Sequence, residues 1–280
     1  MSTSPSGGLR IVNLTMSIRE VPILDGVDLA VPAGTISGLA GESGSGKSIT
    51  ALTVVGLQPP EAAISGAIEY GGRNLLGLPD RAMNRMRGKE IAMIFQDPTS
   101  AFHPLLRIGK QLTDHARHHL GSSRREAHER ALQLLHRVQV PDPEDALRRY
   151  PHQFSGGQLQ RVAIASALMC EPSVLIADEP TTALDVTVQA GILRLLRGLS
   201  DDLGLATLLI THDLAVLSAV ANTITVMRQG RVVETGSRFD VITRPQHPYT
   251  RDLINSLPNR APRPHDGELV SVAPGAPDDS

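Results

Sequence analysis

The sequence lacks tryptophan, contains the single cysteine Cys170, and draws only 2% of its 280 residues from the aromatic amino acids. One cysteine cannot form an internal disulfide or a thiolate metal centre, so we expect a protein of a reducing compartment such as the cytoplasm. The start, MSTSPSGGLR, lacks the basic and then apolar pattern of a secretory signal. The most apolar long stretch is interrupted by His212, Asp213 and Asn222, so no segment is expected to span a membrane.

The sequence also has no excess of one charge, because its formal net charge is only -2. Such a chain has no general attraction to nucleic acid or to anionic lipid, and no nucleic-acid partner is expected. Hydrophobic residues make up 41% of the sequence, which is ample for a large core. We therefore expect a globular chain that folds without disulfides.

Four short apolar runs rich in β-branched residues predict strands that are buried on both faces. They cover 35–40, 91–95, 173–178 and 206–211. Buried strands of this kind are typical of a parallel sheet covered by helices. The clearest helical pattern covers 123–138, where apolar residues recur at helical spacing. The residues on that face are Ala127, Ala131, Leu134, Leu135 and Val138.

The order of these patterns predicts three parts of the chain. Residues 97–166 contain no convincing strand and are rich in His, Arg and Gln, so we expect a helical subdomain there. It would be inserted into a core formed by 1–96 and 167–240. After Asp240 the chain becomes rich in proline, and we expect 241–280 to form an extension that ends in a loosely ordered tail.

The run GESGSGKS, Gly41 to Ser48, fits the pattern G-x-x-x-x-G-K-[ST] between a predicted strand and a predicted helix. In such a loop the backbone N–H groups and the helix N-terminus face an anion, Lys47 adds a positive charge, and Ser48 offers a hydroxyl ligand for Mg²⁺. These features favour a nucleotide polyphosphate over the alternative of a plain Gly/Ser turn. The residues predicted to contact the nucleotide here are Gly41, Ser43, Gly44, Ser45, Gly46, Lys47, Ser48 and Ile49.

A second buried run, SVLIADEP, ends in the adjacent carboxylates Asp178 and Glu179. Asp178 closes an apolar strand, where it is expected to hold Mg²⁺ beside the loop. Since successive side chains of a strand point in different directions, Glu179 is expected to polarise a water for attack on a phosphate. The alternative, a pair of acids that cap a helix, is less expected in a chain that also carries the loop at 41–48.

With these parts the sequence resembles the ATP-binding subunits of ABC transporters, and the resemblance extends over nearly the whole chain. The run FSGGQLQR, Phe154 to Arg161, looks like the signature motif of that family, precedes an apolar helix and lies upstream of Asp178. The resemblance implies an α/β fold. It would have a P-loop (RecA-like) core with a mostly parallel sheet, an N-terminal antiparallel β part and an inserted α-helical subdomain. The resemblance also implies an ATPase that uses ATP and Mg²⁺.

The resemblance assigns further positions one by one. Gln96 looks like the Q-loop glutamine, expected near both the metal and the reacting phosphate; Asp185 looks like the D-loop aspartate, and His212 the switch histidine. Taken singly, these residues have plain alternatives: a loop hydrogen-bonder, a helix N-cap and a buried strand-end histidine. The family's ATP sandwich further implies a partner, a second ABC ATPase subunit. The residues expected to close on its nucleotide are Ser155, Gly156, Gly157 and Gln158.

The segments 96–112 and 243–258 look like those of importers of oligopeptides, dipeptides and nickel or nickel chelates. This resemblance implies integral membrane permease subunits as partners, contacted through 97–120, and indirectly an extracytoplasmic substrate-binding protein. The chain would then lie on the cytoplasmic face of the membrane. Two alternatives stay open: an ABC-type ATPase of a soluble, phosphonate-degrading type of complex, and a nucleic-acid-associated ABC ATPase.

Two departures concern single side chains. Ile18 occupies the place where the family usually has an aromatic residue that stacks on adenine, so weaker base discrimination is expected. His115 and His119 are four residues apart, with His118 between them, and could share a metal on one helix face. We prefer an exposed polar helix, because no further ligand type clusters there. The absence of cysteine beyond Cys170 also argues against an iron–sulfur cluster.

Overall fold

A computed structural model describes residues 8–182 and 184–256, and within this part of the chain the backbone forms ten strands and ten α-helices. The strands are β1 Leu9–Ile18, β2 Val21–Val31, β3 Thr35–Ala40, β4 Ala62–Tyr70, β5 Arg73–Asn74, β6 Ile91–Ile94, β7 Val174–Asp178, β8 Ala206–Thr211, β9 Thr223–Arg228 and β10 Arg231–Ser237. The helices are α1 Lys47–Val54, α2 Asp80–Met86, α3 Ile108–Leu120, α4 Arg124–Arg137, α5 Pro143–Ala146, α6 Gly156–Leu168, α7 Val186–Leu203, α8 Leu214–Val220, α9 Arg238–Thr243 and α10 Pro248–Asn255.

The strands form two sheets. The N-terminal sheet is antiparallel, in the order β2-β1-β4-β5. The larger sheet has the order β10-β9-β3-β8-β7-β6, and all of its neighbours are parallel except β10 and β9. The predicted α/β fold with a mostly parallel core sheet and an N-terminal antiparallel part is therefore confirmed.

The apolar runs of the sequence became the central strands. The predicted strands at 35–40 and 206–211 match β3 and β8, while the other two differ by one residue, since β6 ends at Ile94 and β7 begins at Val174. Every residue of β7 and β8 is buried. Helix α4 begins in a capping box, in which the Ser123 hydroxyl accepts from the Glu126 N–H and the Glu126 carboxylate accepts from the Ser123 N–H. The buried face of α4 is the predicted one.

Two hydrophobic clusters cover the two faces of the larger sheet. On one face, Leu175 and Leu209 pack with side chains from the helices α3, α4, α6, α7 and α8. On the other face, Ile176 and Leu208 pack with the antiparallel sheet and with α1. Because both faces are covered, ligand sites of such a sheet lie at the carboxyl ends of its parallel strands. The loops after β3, β6, β7 and β8 all begin at that edge.

Residues 97–166 hold α3, α4, α5 and most of α6, and no residue in this range is a strand. The predicted boundary at 166 falls inside α6, which continues to Leu168. The division into domains stays a prediction.

The first part of the predicted C-terminal extension, 241–256, is largely helical. Helices α9 and α10 cover much of 241–256, and α10 buries Tyr249, Thr250 and Ile254. The remainder of the predicted tail, 257–280, lies outside the described residues.

Candidate functional site

The loop between β3 and α1 contains Gly41 to Gly46, and two of its glycines are required by the local geometry. A Cβ at Gly41 would lie 2.2 Å from the carbonyl oxygen of Met227 in β9. Gly46 has φ +105°, and a Cβ there would lie 2.8 Å from a side-chain carbon of Leu24. The loop backbone is therefore pressed against β9 and β2, and only glycine permits this path.

Lys47 begins α1 at the base of this loop and is only 4% exposed. Its Nζ donates to the carbonyl oxygens of Gly41 and Glu42, both at 2.8 Å. Burial lowers the pKa of Lys47, although the neighbouring carboxylates of Glu179 and Asp178 oppose that shift. The loop thus holds a buried lysine amino group against its own backbone.

Ser48 and Asp178 meet across the loop after β3 and the end of β7. The Ser48 hydroxyl donates to Asp178 Oδ1 at 3.2 Å, and Asp178 is only 6% exposed. Burial raises the pKa of Asp178, against the effect of the Ser48 hydrogen bond. A hydroxyl and a buried carboxylate are oxygen donors of the kind that Mg²⁺ prefers.

The protein supplies only part of such a coordination shell. Among the described residues, no group of three or more His, Cys, Asp or Glu side chains is placed to hold a metal ion. Mg²⁺ commonly keeps several waters and takes one or two carboxylates plus phosphate oxygens. The pair Ser48 and Asp178 therefore fits a Mg²⁺ ion that arrives with a phosphate ligand.

Glu179 follows β7 with a backbone φ of +45°, which is unusual for a residue other than glycine. Its Oε1 lies 3.0 Å from His212 Nδ1, and its Oε2 accepts from Thr182 Oγ1 at 2.8 Å and from Gln96 Nε2 at 3.4 Å. Burial disfavours the charge on Glu179, but the hydrogen bonds from His212 and Thr182 outweigh burial and lower its pKa. Glu179 is thus an ionised acceptor held by three side chains.

These groups surround one cavity of about 770 Å³. The residues predicted from the sequence that line it are Ser43, Gly44, Gly46, Lys47, Ser48, Ile49, Gln96, Glu179 and His212. Asp178 joins them through its hydrogen bond with Ser48. The cavity is therefore built from the loops that follow β3, β6, β7 and β8.

The second predicted group lies apart from this cavity. Ser155 caps α6, since its hydroxyl accepts from the Gln158 N–H while Gln158 Oε1 accepts from the Ser155 N–H. Asp185 caps α7 by accepting from the Val188 N–H at 3.0 Å. A Cβ at Gly157 would lie 2.6 Å from a Val188 methyl group, so the two helix starts are closely packed. None of these residues, nor Gly156, is among the described residues that line the cavity.

Four residues that surround the loop or cavity were missed by the sequence analysis, and one of them, Glu42, lies within the loop and lines the cavity. Ile23 lines the cavity, whereas the expected Ile18 does not, because the chain reverses between β1 and β2 and Ile23 returns toward the loop. Thr182 supplies a hydroxyl to Glu179. Tyr249 meets the loop from a position 207 residues away, and a contact of that separation leaves no local pattern in a sequence.

Three histidines of α3 pack their rings together. His119 packs edge-on against His115 and His118, with ring centroids 4.9 Å and 4.8 Å apart. Burial lowers the pKa of both His115 and His119. His115 is partly buried and lies 4.0 Å from the Cys170 sulfur, so this face of α3 is not the fully exposed polar face that we expected.

Across the described residues, no helix combines the length and the apolar character needed to cross a bilayer.

Comparison with protein families gives two matches. The family described as "ABC transporter" matches residues 24–182. The family described as "Oligopeptide/dipeptide transporter, C-terminal region" matches residues 233–278. The first match covers more than half of the chain, and its range includes the loop at 41–48, Asp178 and Glu179.

Several named proteins are similar in sequence. A probable peptide ABC transporter ATP-binding protein of Sinorhizobium fredii is 49% identical over 85% of this chain and 71% of its own length. The dipeptide transport ATP-binding protein DppD of Bacillus subtilis is 44% identical over 96% of this chain and 84% of its own length. The oligopeptide transport ATP-binding protein OppD of Escherichia coli is 42% identical over 92% of this chain and 76% of its own length.

Two solved structures of one bacterial ABC transporter cassette are similar in fold. Its dimeric structure shares 28% identity at a TM-score of 0.73, covering 82% of this chain and 98% of that chain. A dimeric post-hydrolysis state bound to ADP and Pi has the same identity and coverage at a TM-score of 0.72.

Proposed function

This chain belongs to the ABC transporter family of ATP-binding proteins, and from that premise we propose that it is the ATP-hydrolysing subunit of a peptide importer. The observation that carries the proposal is the convergence of Lys47, the Ser48 and Asp178 pair, and Glu179 with His212 around one cavity. Each of these groups suits one part of a magnesium-bound nucleoside triphosphate.

In the proposed site the loop at 41–48 holds the phosphates of ATP. Lys47 and the N-terminus of α1 supply positive charge, and the backbone N–H groups of residues 44–48 supply donors. Ser48, Asp178 and Gln96 would hold Mg²⁺, which, when bound, neutralises phosphate charge. Asp178 is only 6% exposed, and a nearby cation would offset the cost of burying its carboxylate.

Glu179 is the proposed general base. It is ionised, and a water that attacks the γ-phosphate must lose a proton to an acceptor. His212 and Thr182 fix the carboxylate from two sides, which keeps its oxygens in place at the cavity wall. Gln96 approaches the same carboxylate from the loop after β6. His212 is therefore proposed as a positioning residue that acts through Glu179.

A second subunit is proposed to complete each site. The group at Ser155, Gly156, Gly157 and Gln158 opens helix α6, and the N-terminus of a helix attracts an anion. This group lies away from the chain's own cavity, so it is suited to the γ-phosphate held by another chain. The dimeric state of the similar bacterial cassette supports this arrangement. Asp185 lies beside this group at the start of α7 and would face the partner.

Peptides are the proposed cargo class, because the matching C-terminal family and the similar proteins carry peptide, dipeptide or oligopeptide transport in their names. The same names favour peptides over nickel chelates. In this arrangement the chain works on the cytoplasmic face of the membrane with integral permease subunits. An extracytoplasmic binding protein would select the substrate.

The permease is proposed to contact an apolar region between the core and the helices of 97–166. Phe95 and Leu57 are exposed there at the rim of a cavity that Pro98 and Ala101 also line. Leu105, at 77% exposure, is an exposed leucine in the neighbouring loop. Exposed apolar side chains grouped in this way are typical of protein interaction sites.

Purification of the tagged chain from detergent-solubilised membranes tests the proposal. We expect integral permease subunits to copurify, and we expect Leu105→Asp to reduce their recovery because it places a charge in the proposed contact. Leu203→Asp, at an exposed leucine at the end of α7, is the matched control. Recovery of soluble lyase subunits alone, or of nucleic acid, would contradict the importer and favour one of the alternatives.

A further inference from the structure

The C-terminal helix α10 contacts the phosphate-binding loop through one side chain. The hydroxyl of Tyr249 accepts a hydrogen bond from the Glu42 N–H at 3.0 Å. Glu42 is the second residue of the loop at 41–48, and Tyr249 is only 7% exposed. Glu42 N–H is not one of the donors proposed for the phosphates, so its hydrogen bond with Tyr249 does not compete with the nucleotide.

The peptide group that Tyr249 holds is also held by Lys47. The Glu42 N–H and the Gly41 carbonyl belong to the same peptide, and that carbonyl accepts from Lys47 Nζ at 2.8 Å. Hydrogen bonds at both ends of one peptide polarise and strengthen each other. Tyr249 is therefore connected to the Lys47 amino group through a single planar unit of the backbone.

Several contacts fix Tyr249 in place. The carboxylate of Glu234 in β10 accepts from the N–H groups of Gln246 and His247, at 2.8 Å and 3.0 Å, which closes the turn before α10. His247 Nδ1 then caps the helix by accepting from the Tyr249 N–H. The guanidinium of Arg228 lies 4.7 Å from the centroid of the Tyr249 ring. The hydroxyl is thus presented to the loop from a well-anchored helix start.

The turn between β9 and β10 holds the same loop at a second point, since the Gly230 N–H donates to the Ser45 carbonyl at 3.0 Å. The loop is therefore supported at both of its ends by residues of 227–249. Only the Tyr249 contact comes from a side chain, so only that contact can be removed by a conservative substitution.

We propose that Tyr249 is a positioning residue for nucleotide binding, through which the C-terminal extension sets the geometry of the loop at 41–48. Without the hydroxyl, the Glu42 N–H would lose its partner in a partly buried place, and the peptide that receives Lys47 would be less well held. The inference deepens the proposed function and rests on it, because it assumes that this loop binds nucleotide phosphates. Tyr249 itself is not among the residues that line the cavity.

Tyr249→Phe in the full chain tests the inference, because it removes the hydroxyl and keeps the ring. Tyr70→Phe is the matched control, since Tyr70 is similarly buried at 9% exposure and its hydroxyl bonds to Ser173 Oγ, away from the loop. We expect the Kd for MgADP and the KM for MgATP to rise about 2- to 10-fold in Tyr249→Phe, as for one lost hydrogen bond. We expect kcat to stay within about twofold of the original chain, because Glu179 and His212 are untouched.

A second measurement reports on the loop directly. Amide hydrogen exchange in the segment 41–46 should become faster in Tyr249→Phe and should stay unchanged in Tyr70→Phe. Equal nucleotide affinity in the two variants, or a fall in kcat without a change in affinity, would overturn the role of Tyr249. If the original chain binds neither MgADP nor MgATP, the proposed function fails first. Binding by the original chain with no difference between the variants would overturn the inference alone.

Discussion

His212 Nδ1 lies 3.0 Å from Glu179 Oε1, so two residues that follow neighbouring parallel strands meet at the rim of one cavity. Glu179 adopts its unusual positive φ at this point, and its other carboxylate oxygen accepts from Thr182. A strained backbone that is held by side-chain partners is typical of functional sites. These contacts hold the carboxylate in place, as the proposed role of general base requires.

Glu179→Gln should lower ATP hydrolysis by ~10²–10⁴-fold, because the amide cannot act as a base. Nucleotide affinity should be kept, since the substitution leaves Lys47 and Ser48 in place. Steady-state phosphate release and a nucleotide titration measure the two effects. Glu171→Gln is a control with the same chemical change at another glutamate of positive φ, where the side chain pairs with Arg130 at the surface. Undiminished hydrolysis in Glu179→Gln would rule out the base.

Lys47→Ala should weaken MgATP and MgADP binding about 10-fold or more, because it removes a charged donor that meets the phosphates. Equilibrium titration with a fluorescent nucleotide measures the loss. Lys110→Ala removes an exposed lysine of α3 and should bind as the original chain does. Unchanged affinity in Lys47→Ala would contradict the assignment of the loop as the phosphate site.

Two impaired variants should complement each other if each site is shared by two chains. Gly156→Asp places a negative charge in the proposed phosphate contact, and a Cβ fits there at 3.5 Å from the nearest side chain. In a dimer of Lys47→Ala with Gly156→Asp, one site carries both changes and the other carries neither. An equimolar mixture should regain about a quarter of the original hydrolysis, because half of the randomly paired dimers hold one intact site.

The two single variants, each assayed at the same total protein concentration, are the controls for the mixture. No gain in hydrolysis on mixing would argue that each chain completes its own site.

Ile23 replaces the expected Ile18 at the cavity, and among the described lining residues there is no Phe, Tyr or Trp. Stacking of a base on such a ring contributes about 1–3 kcal/mol, and an aliphatic side chain forgoes it. The chain should therefore bind MgATP and MgGTP with Kd values within about tenfold of each other. Parallel titrations with the two nucleotides measure this ratio. A strong preference for ATP would show that base recognition comes from another contact.

Cys170 should react slowly with thiol reagents in the native protein. Its side chain is buried, and burial raises the pKa of the thiol, so the reactive thiolate forms only at a higher pH than in an exposed cysteine. Colour release from a disulfide reagent near neutral pH should be slow before denaturant is added and fast afterwards. Fast labelling of the native chain would contradict the burial of this residue beside His115 of α3.

The sequence predicted the parts of the site that depend on local order. A buried apolar run followed by a glycine-rich loop placed Lys47 and Ser48, and a second run placed Asp178 and Glu179, because parallel strands end at one edge of a sheet. The contact between Glu179 and His212 could also be predicted, since both residues follow buried strands.

Long-range contacts and short helices could not be predicted from the sequence. Helix α10 has only eight residues and gains its stability from packing Tyr249 and Ile254, which no local propensity reports. The family pattern points to Ile18 at the end of β1, whereas the reversal between β1 and β2 brings Ile23 to the cavity.

Because Ser155 and Gly156 lie away from the chain's own cavity, the rate of ATP hydrolysis should depend on protein concentration more steeply than in simple proportion. If each site needs two chains, turnover per chain rises with concentration until dimers are complete. Dilution alone would then abolish hydrolysis. The specific activity measured at each protein concentration would report the fraction of chains that are in dimers. A permease that binds two copies side by side would raise their effective concentration. The membrane-bound assembly would therefore keep its activity at dilutions at which the isolated subunit is inactive.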